Sequence, residues 1–214
     1  MSVSTKTKLP NLSLNGLKGL SLRQVFPWLL MITAAIGLGA SFILMLEHLA
    51  LLKDPGRQLT CSLNPIINCG PVMQSPTASQ FGFPNPLLGI ATFSAQALLG
   101  AALLAGARFK TWFWQLWGVV VAASVAFMLY LMYQSFFVIG AICVYCLTVW
   151  LVLSISAWYT LQYVLAEGIW KIANRRFEQF VRRRHGDLLL GWFLLVAAVV
   201  LAKFWYYYGP RLGF

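Results

Sequence analysis

Four cysteines carry the reactive chemistry of this 214-residue chain, and they fall into two pairs of different spacing. Cys143 and Cys146 stand three apart in "GAICVYCLTVW", and Cys61 and Cys69 flank seven residues in "LTCSLNPIINCGPVMQ". Three uses compete for such residues: a zinc site, structural stapling and thiol–disulfide exchange. Zinc ribbons join two short cysteine knuckles, whereas one pair here is widely spaced and the other lies in an apolar helical run. Imidazole could come only from His48 and His185, so the pattern argues for no metal. A bridge between Cys143 and Cys146 would close a very small ring and add little loop entropy, which makes it a poor staple. The same spacing at a helix start suits redox exchange, because the helix amino terminus favours the attacking thiolate.

Apolar residues make up 60% of the chain and charged ones 10%, which places it among integral membrane proteins. Nearly uncharged stretches run over 25–46, 81–107, 111–166 and 188–208. The third is too long for one span, since its residues at about 1.5 Å each would make a helix of roughly 84 Å against a core of about 30 Å. Gly140, preceded by Gln134 and Ser135, is the expected turn. Five spans follow, near 25–49, 86–107, 112–138, 142–165 and 188–208. The apolar run continues past the small residues of "GLGAS", so the first span reads as an uncleaved anchor.

The net charge of +11 is distributed by topology and does not imply nucleic acid. Lys6, Lys8, Lys18, Arg23, Arg108, Lys110, Lys171, Arg175, Arg176, Arg182, Arg183 and Arg184 share one side; Lys53, Arg57, Lys203 and Arg211 face the other. The positive-inside rule then puts the amino terminus in the cytoplasm and all four cysteines outside, where disulfides persist. Residues three apart on a helix differ in depth by about 4.5 Å. Cys143 is thus expected nearer the outer water and Cys146 nearer the lipid, and two pairs at different depths suggest a relay. Residues 50–84 form a loop long enough to be functional, and its apolar "SLNPIIN", Phe81 and Phe83 suggest a cap on the bundle at the membrane surface.

"CSLNPIINC", "FGFPNPLLG" and "CVYC" together resemble the vitamin K epoxide reductase family, in particular its bacterial disulfide-forming members, over about residues 25–166. The resemblance implies an all-α integral membrane fold: a four-helix bundle around a quinone (menaquinone or ubiquinone), capped by a half-helical loop. It further implies electron flow from a separate thioredoxin-fold, DsbA-like thiol oxidase. Cys61 and Cys69 would be the shuttle pair, with the partner attacking at Cys61, and Cys143 and Cys146 the active-site pair, reached through Cys69. Asn85 resembles the family's quinone-bonding asparagine, although Asn followed by Pro86 is also a good helix start. Many animal relatives carry Tyr where this chain has Trp150, whose indole N–H offers one donor in its place. Aromatic packing of Trp150 on the quinone and ordinary core packing are both open.

The expected organisation is a basic cytoplasmic tail (1–24), a catalytic domain (25–166), a basic cytoplasmic loop (167–187) and a fifth span with a short outer tail (188–214). Some relatives carry a fused thioredoxin-like domain, for which the residues after 166 leave no room, so a separate partner is expected. The expected function is a bacterial inner-membrane oxidoreductase that supports oxidative protein folding and contacts membrane lipids. A quinone or vitamin K epoxide reductase is one alternative. A non-catalytic, disulfide-stapled scaffold or transporter subunit is another, though the spans offer no paired intramembrane charges for transport.

Overall fold

A computed structural model describes residues 22–62, 64–170 and 175–205. Of the expected elements, most of the basic tail, Lys171, Arg211 and the carboxyl-terminal tail lie outside them. Among the described residues the structure is an all-helical membrane protein with five helices long and apolar enough to cross a bilayer. They are α1 (Leu22–Lys53), α3 (Pro86–Leu104), α4 (Thr111–Tyr133, extended by a π turn at Gln134–Ile139), α5 (Val144–Ala166) and α7 (His185–Lys203). The long loop between α1 and α3 supplies the short α2 (Cys69–Gln74) and a 3₁₀ turn at Pro76–Ser79, which makes the expected cap partly helical.

The spans match the sequence reading to within a few residues at most ends. The fifth differs more, beginning at His185 and closing at Lys203. The basic connection also contains a helix, α6 (Arg175–Arg183), which its charge alone had marked as loop. Glu178 in its first turn pairs with Arg182 four residues on at 3.5 Å, and cations end the helix; both arrangements suit the helix dipole.

Helices α1 and α3 form the frame. In lipid, side-chain burial gives helices little reason to associate, so small residues and buried hydrogen bonds take over. A Cβ on Gly37 of α1 would lie 2.5 Å from the Phe93 ring of α3, and one on Gly89 would strike Ser41. The Gln96 amide of α3, almost fully buried, donates to Leu30 O at 3.1 Å and to Thr33 Oγ1 at 2.8 Å on α1. These contacts fix the rotation of α1, and so decide which of its residues face the bundle.

The turn between α4 and α5 is built as the sequence suggests. Gly140 adopts φ 72°, a left-handed conformation that suits glycine, and Ser135 Oγ donates to Ala141 O at 2.6 Å across it. Helix α7 lies against the outside of the bundle and buries none of its own residues. Two indoles peg it there: Trp192 donates to Ser154 Oγ at 3.2 Å, and Trp158 of α5 donates to His185 O at 3.0 Å. Just beyond α7, Phe204 enters the core shared by Phe136 and Trp150.

Replacing Gly37 by Val forces a branched side chain into the Phe93 ring. We expect a loss of about 1–3 kcal/mol, the usual cost of overpacking, seen as a lower thermal midpoint in detergent.

Candidate functional site

The segment "CSLNPIINC" folds through its two asparagines. Asn64 Oδ1 accepts from the N–H groups of Ile66 and Ile67 at 2.9 and 2.7 Å, a turn closed by its own side chain. Asn68 caps α2 by accepting from Gly70 N–H at 3.0 Å, and Ser62 Oγ donates to the same oxygen at 2.8 Å. Between these turns the backbone is extended and pairs in parallel with Ile142. Ile142 N–H donates to Ile66 O at 2.8 Å, and Asn68 N–H donates to Ile142 O at 3.0 Å.

This bridge sets the sulfur geometry, because Asn68 and Ile142 each immediately precede a cysteine. Cys61 and Cys69 are joined in a disulfide, and Cys143 and Cys146 are free thiols. Cys143 Sγ stands 2.9 Å from Cys69 Sγ, a non-bonded approach in which a thiolate could attack the loop bridge. The sulfurs of Cys61, Cys69 and Cys143 lie within 4.8 Å of one another. Two of the three are already joined to each other, and a disulfide sulfur is not a thiolate ligand, so this cluster is arranged for exchange.

The cap decides which member of the active pair is covered. Cys143 is not on the helix: it is the residue before α5, with extended dihedrals, and the loop covers it to 1% exposure. Cys146, in the first turn of α5, is only half-buried. The Cys146 thiol, as a hydrogen-bond donor, lowers the Cys143 pKa from its ordinary value. The N–H groups of Cys146 and Tyr145 add to this, and together they outweigh the upward push of burial. Cys143 is therefore the thiolate-prone member.

Cys146 faces elsewhere. It lines a cavity of about 330 Å³ between α1, α3, α4, α5 and the cap, walled largely by apolar side chains such as Phe93, Met128 and Leu153. Its volume is at the low end of the range for small-molecule pockets, about 300–1,000 Å³. Asn85 and Trp150 line the same cavity, so the structure brings both together with Cys146. The mostly apolar wall with a few polar groups fits a quinone ring.

Trp150 is 7% exposed, packs edge-on to Phe136 at 5.7 Å between centroids, and has no hydrogen bond among the described residues. Core packing and cavity lining are thus both its roles. Asn85 does not cap α3 with its side chain: its own dihedrals are already helical, φ −55° and ψ −31°. Its amide instead donates to Thr77 O at 2.6 Å and accepts from Gln80 N–H at 3.3 Å, which ties the 3₁₀ turn to α3. Pro86 does open the helix as expected.

Two neighbours on α1 also belong to the site. Glu47, 8% exposed, accepts from Thr60 Oγ1 at 2.6 Å, and Thr60 also meets Tyr145 OH at 3.3 Å. His48 lines the cavity. The signal available was their place on the α1 face that carries Leu44 and Leu51, three and four residues from apolar neighbours.

Residues 28–161 match the family model described as the vitamin K epoxide reductase family, a stretch that takes in both cysteine pairs, Asn85 and Trp150. No curated protein matches the chain.

Removing Cys61 leaves Cys69 to pair with its next sulfur. We expect Cys61→Ala to accumulate a Cys69–Cys143 disulfide under mild oxidation, mapped by mass spectrometry of a non-reduced digest. Ile142→Pro on that background deletes the N–H that holds Ile66 and should lower the yield several-fold.

Proposed function

The chain belongs to the vitamin K epoxide reductase family, and on that premise we propose that it reoxidises an extracytoplasmic, DsbA-like thioredoxin-fold partner and delivers the electrons to a membrane quinone. Oxidoreductase activity follows from the family; the partner and the quinone path are our reading. The observation that carries it is the division of labour in one cysteine pair: Cys143 touches the loop disulfide, and Cys146 lines the apolar cavity.

The steps balance as two exchanges of a dithiol for a disulfide. A reduced partner attacks Cys61, Cys69 leaves as thiolate, and the partner's second thiol resolves the mixed bond, so the partner departs oxidised. Both loop sulfurs are buried, but Cys61 sits between exposed Thr60 and Ser62, so a small shift of that turn uncovers it. Cys69 then attacks an oxidised Cys143–Cys146 bridge at Cys143, and Cys61 in turn attacks Cys69. The loop bridge is thereby restored and both active-site cysteines are left as thiols.

A bound quinone would supply the sink for two electrons and two protons as the Cys143–Cys146 bridge forms again. Asn85 and Trp150 would orient it, the amide and indole N–H groups as donors and the indole face as a platform. Menaquinone and ubiquinone both satisfy this chemistry. The setting is a bacterial inner membrane, with the amino terminus in the cytoplasm and the cysteines outside, as the Lys and Arg distribution supports.

Cys146→Ala and, separately, Cys69→Ala should each abolish reoxidation of a reduced thioredoxin-fold partner by the purified protein. Full activity in either would sink the relay. Extraction of quinone from the wild-type protein, and its reduction by that partner, tests the acceptor.

A further inference from the structure

A largely buried imidazole with no partner in the protein has one donor and one acceptor to offer whatever enters beside it. His48 is 7% exposed and has no hydrogen bond among the described residues. It lines the cavity that Cys146, Asn85 and Trp150 also line. Its chain neighbour Glu47 does not serve it: one carboxylate oxygen of Glu47 accepts from Thr60, and the other is buried without a partner. Nor is His48 turned inward by chance, because the close contacts of Gly37 with Phe93 and of Gly89 with Ser41 fix how α1 faces the bundle.

From this geometry, and resting on the reading that a quinone enters the cavity, we propose that His48 is a catalytic residue that hydrogen-bonds a quinone oxygen and transfers a proton to it. The overall step is dithiol plus quinone giving disulfide plus hydroquinone. Two S–H bonds break, the Cys143–Cys146 S–S bond forms, and the two electrons and two protons end on the quinone oxygens. A neutral imidazole donates at one nitrogen and accepts at the other. His48 gives its proton to one oxygen and recovers one released by the dithiol, so it ends the step as it began. The cysteine sulfurs supply the electrons; the apolar wall offers few other groups that can carry a proton.

The test separates binding from transfer with two variants and a short-chain ubiquinone analogue as probe. Binding is read by quenching of tryptophan fluorescence in protein with both cysteine pairs oxidised, where no turnover occurs. His48→Ala should raise Kd about tenfold, as for one lost hydrogen bond, while His48→Gln, which still donates, should bind within about threefold of wild type. Single-turnover reduction of the analogue by reduced, quinone-free protein should be slower by about 10²-fold in both variants, the usual range for general acid catalysis. Tight binding with slow transfer in His48→Gln is the signature of a proton donor.

A His48→Gln protein that reduces the analogue at the wild-type rate would overturn the proposal. So would a His48→Ala protein unchanged in both measurements, or one that slows Cys69–Cys143 exchange as much as quinone reduction, which would mark His48 as structural. Wild-type protein that neither binds nor reduces the analogue would instead refute the functional reading, and the role of His48 with it.

Discussion

Two backbone hydrogen bonds hold the chemistry of this protein together. Ile142 exchanges them with Ile66 and Asn68, residues 74 or more positions away along the chain, and each strand of the bridge runs directly into a cysteine. Side chains on a long loop would otherwise bring their sulfurs together only at the entropic cost of closing that loop. The bridge moves that cost onto the backbone, where Asn64 and Asn68 have already shaped the segment through local turns. Thiol exchange needs a nucleophile near a sulfur with a leaving group behind it, and this pairing presents Cys69 to Cys143.

The cavity depends on a different kind of contact. Apolar side chains gain little by turning from lipid to protein, so the wall between α1 and α3 is held by close backbone approach and by the Gln96 amide. The cap closes one side of the cavity through Asn85, which anchors the 3₁₀ turn to α3 and also lines the cavity. One side chain therefore links the cover to the chamber. The Cys146 thiol and the Trp150 ring, one helical turn apart on α5, complete the opposite wall.

Much of this was legible in the sequence, for physical reasons. Hydropathy marks a span because a bilayer tolerates few charges, and Gly140 marks the α4–α5 turn because a left-handed residue is needed there. Other features left no local trace. The Ile142 bridge joins residues with no shared periodicity, and the direction of His48 depends on a helix rotation set elsewhere, at Gly37 and Ser41. Asn85 before Pro86 has the pattern of a cap, yet its backbone already lies in the first turn, so the amide is free to reach Thr77. Helix α6 was hidden by its own charge, which describes solvation rather than conformation.

The turn at Gly140 also decides how the two cysteine pairs are mounted. Helices α4 and α5 meet through a few residues latched by Ser135 on Ala141, so Cys143 is mounted on a stiff corner of the bundle. Cys61 and Cys69 ride on the long segment between α1 and α3. One side of the sulfur contact is thus set by a tight turn between two spans, and the other by a loop shaped by its own asparagine turns.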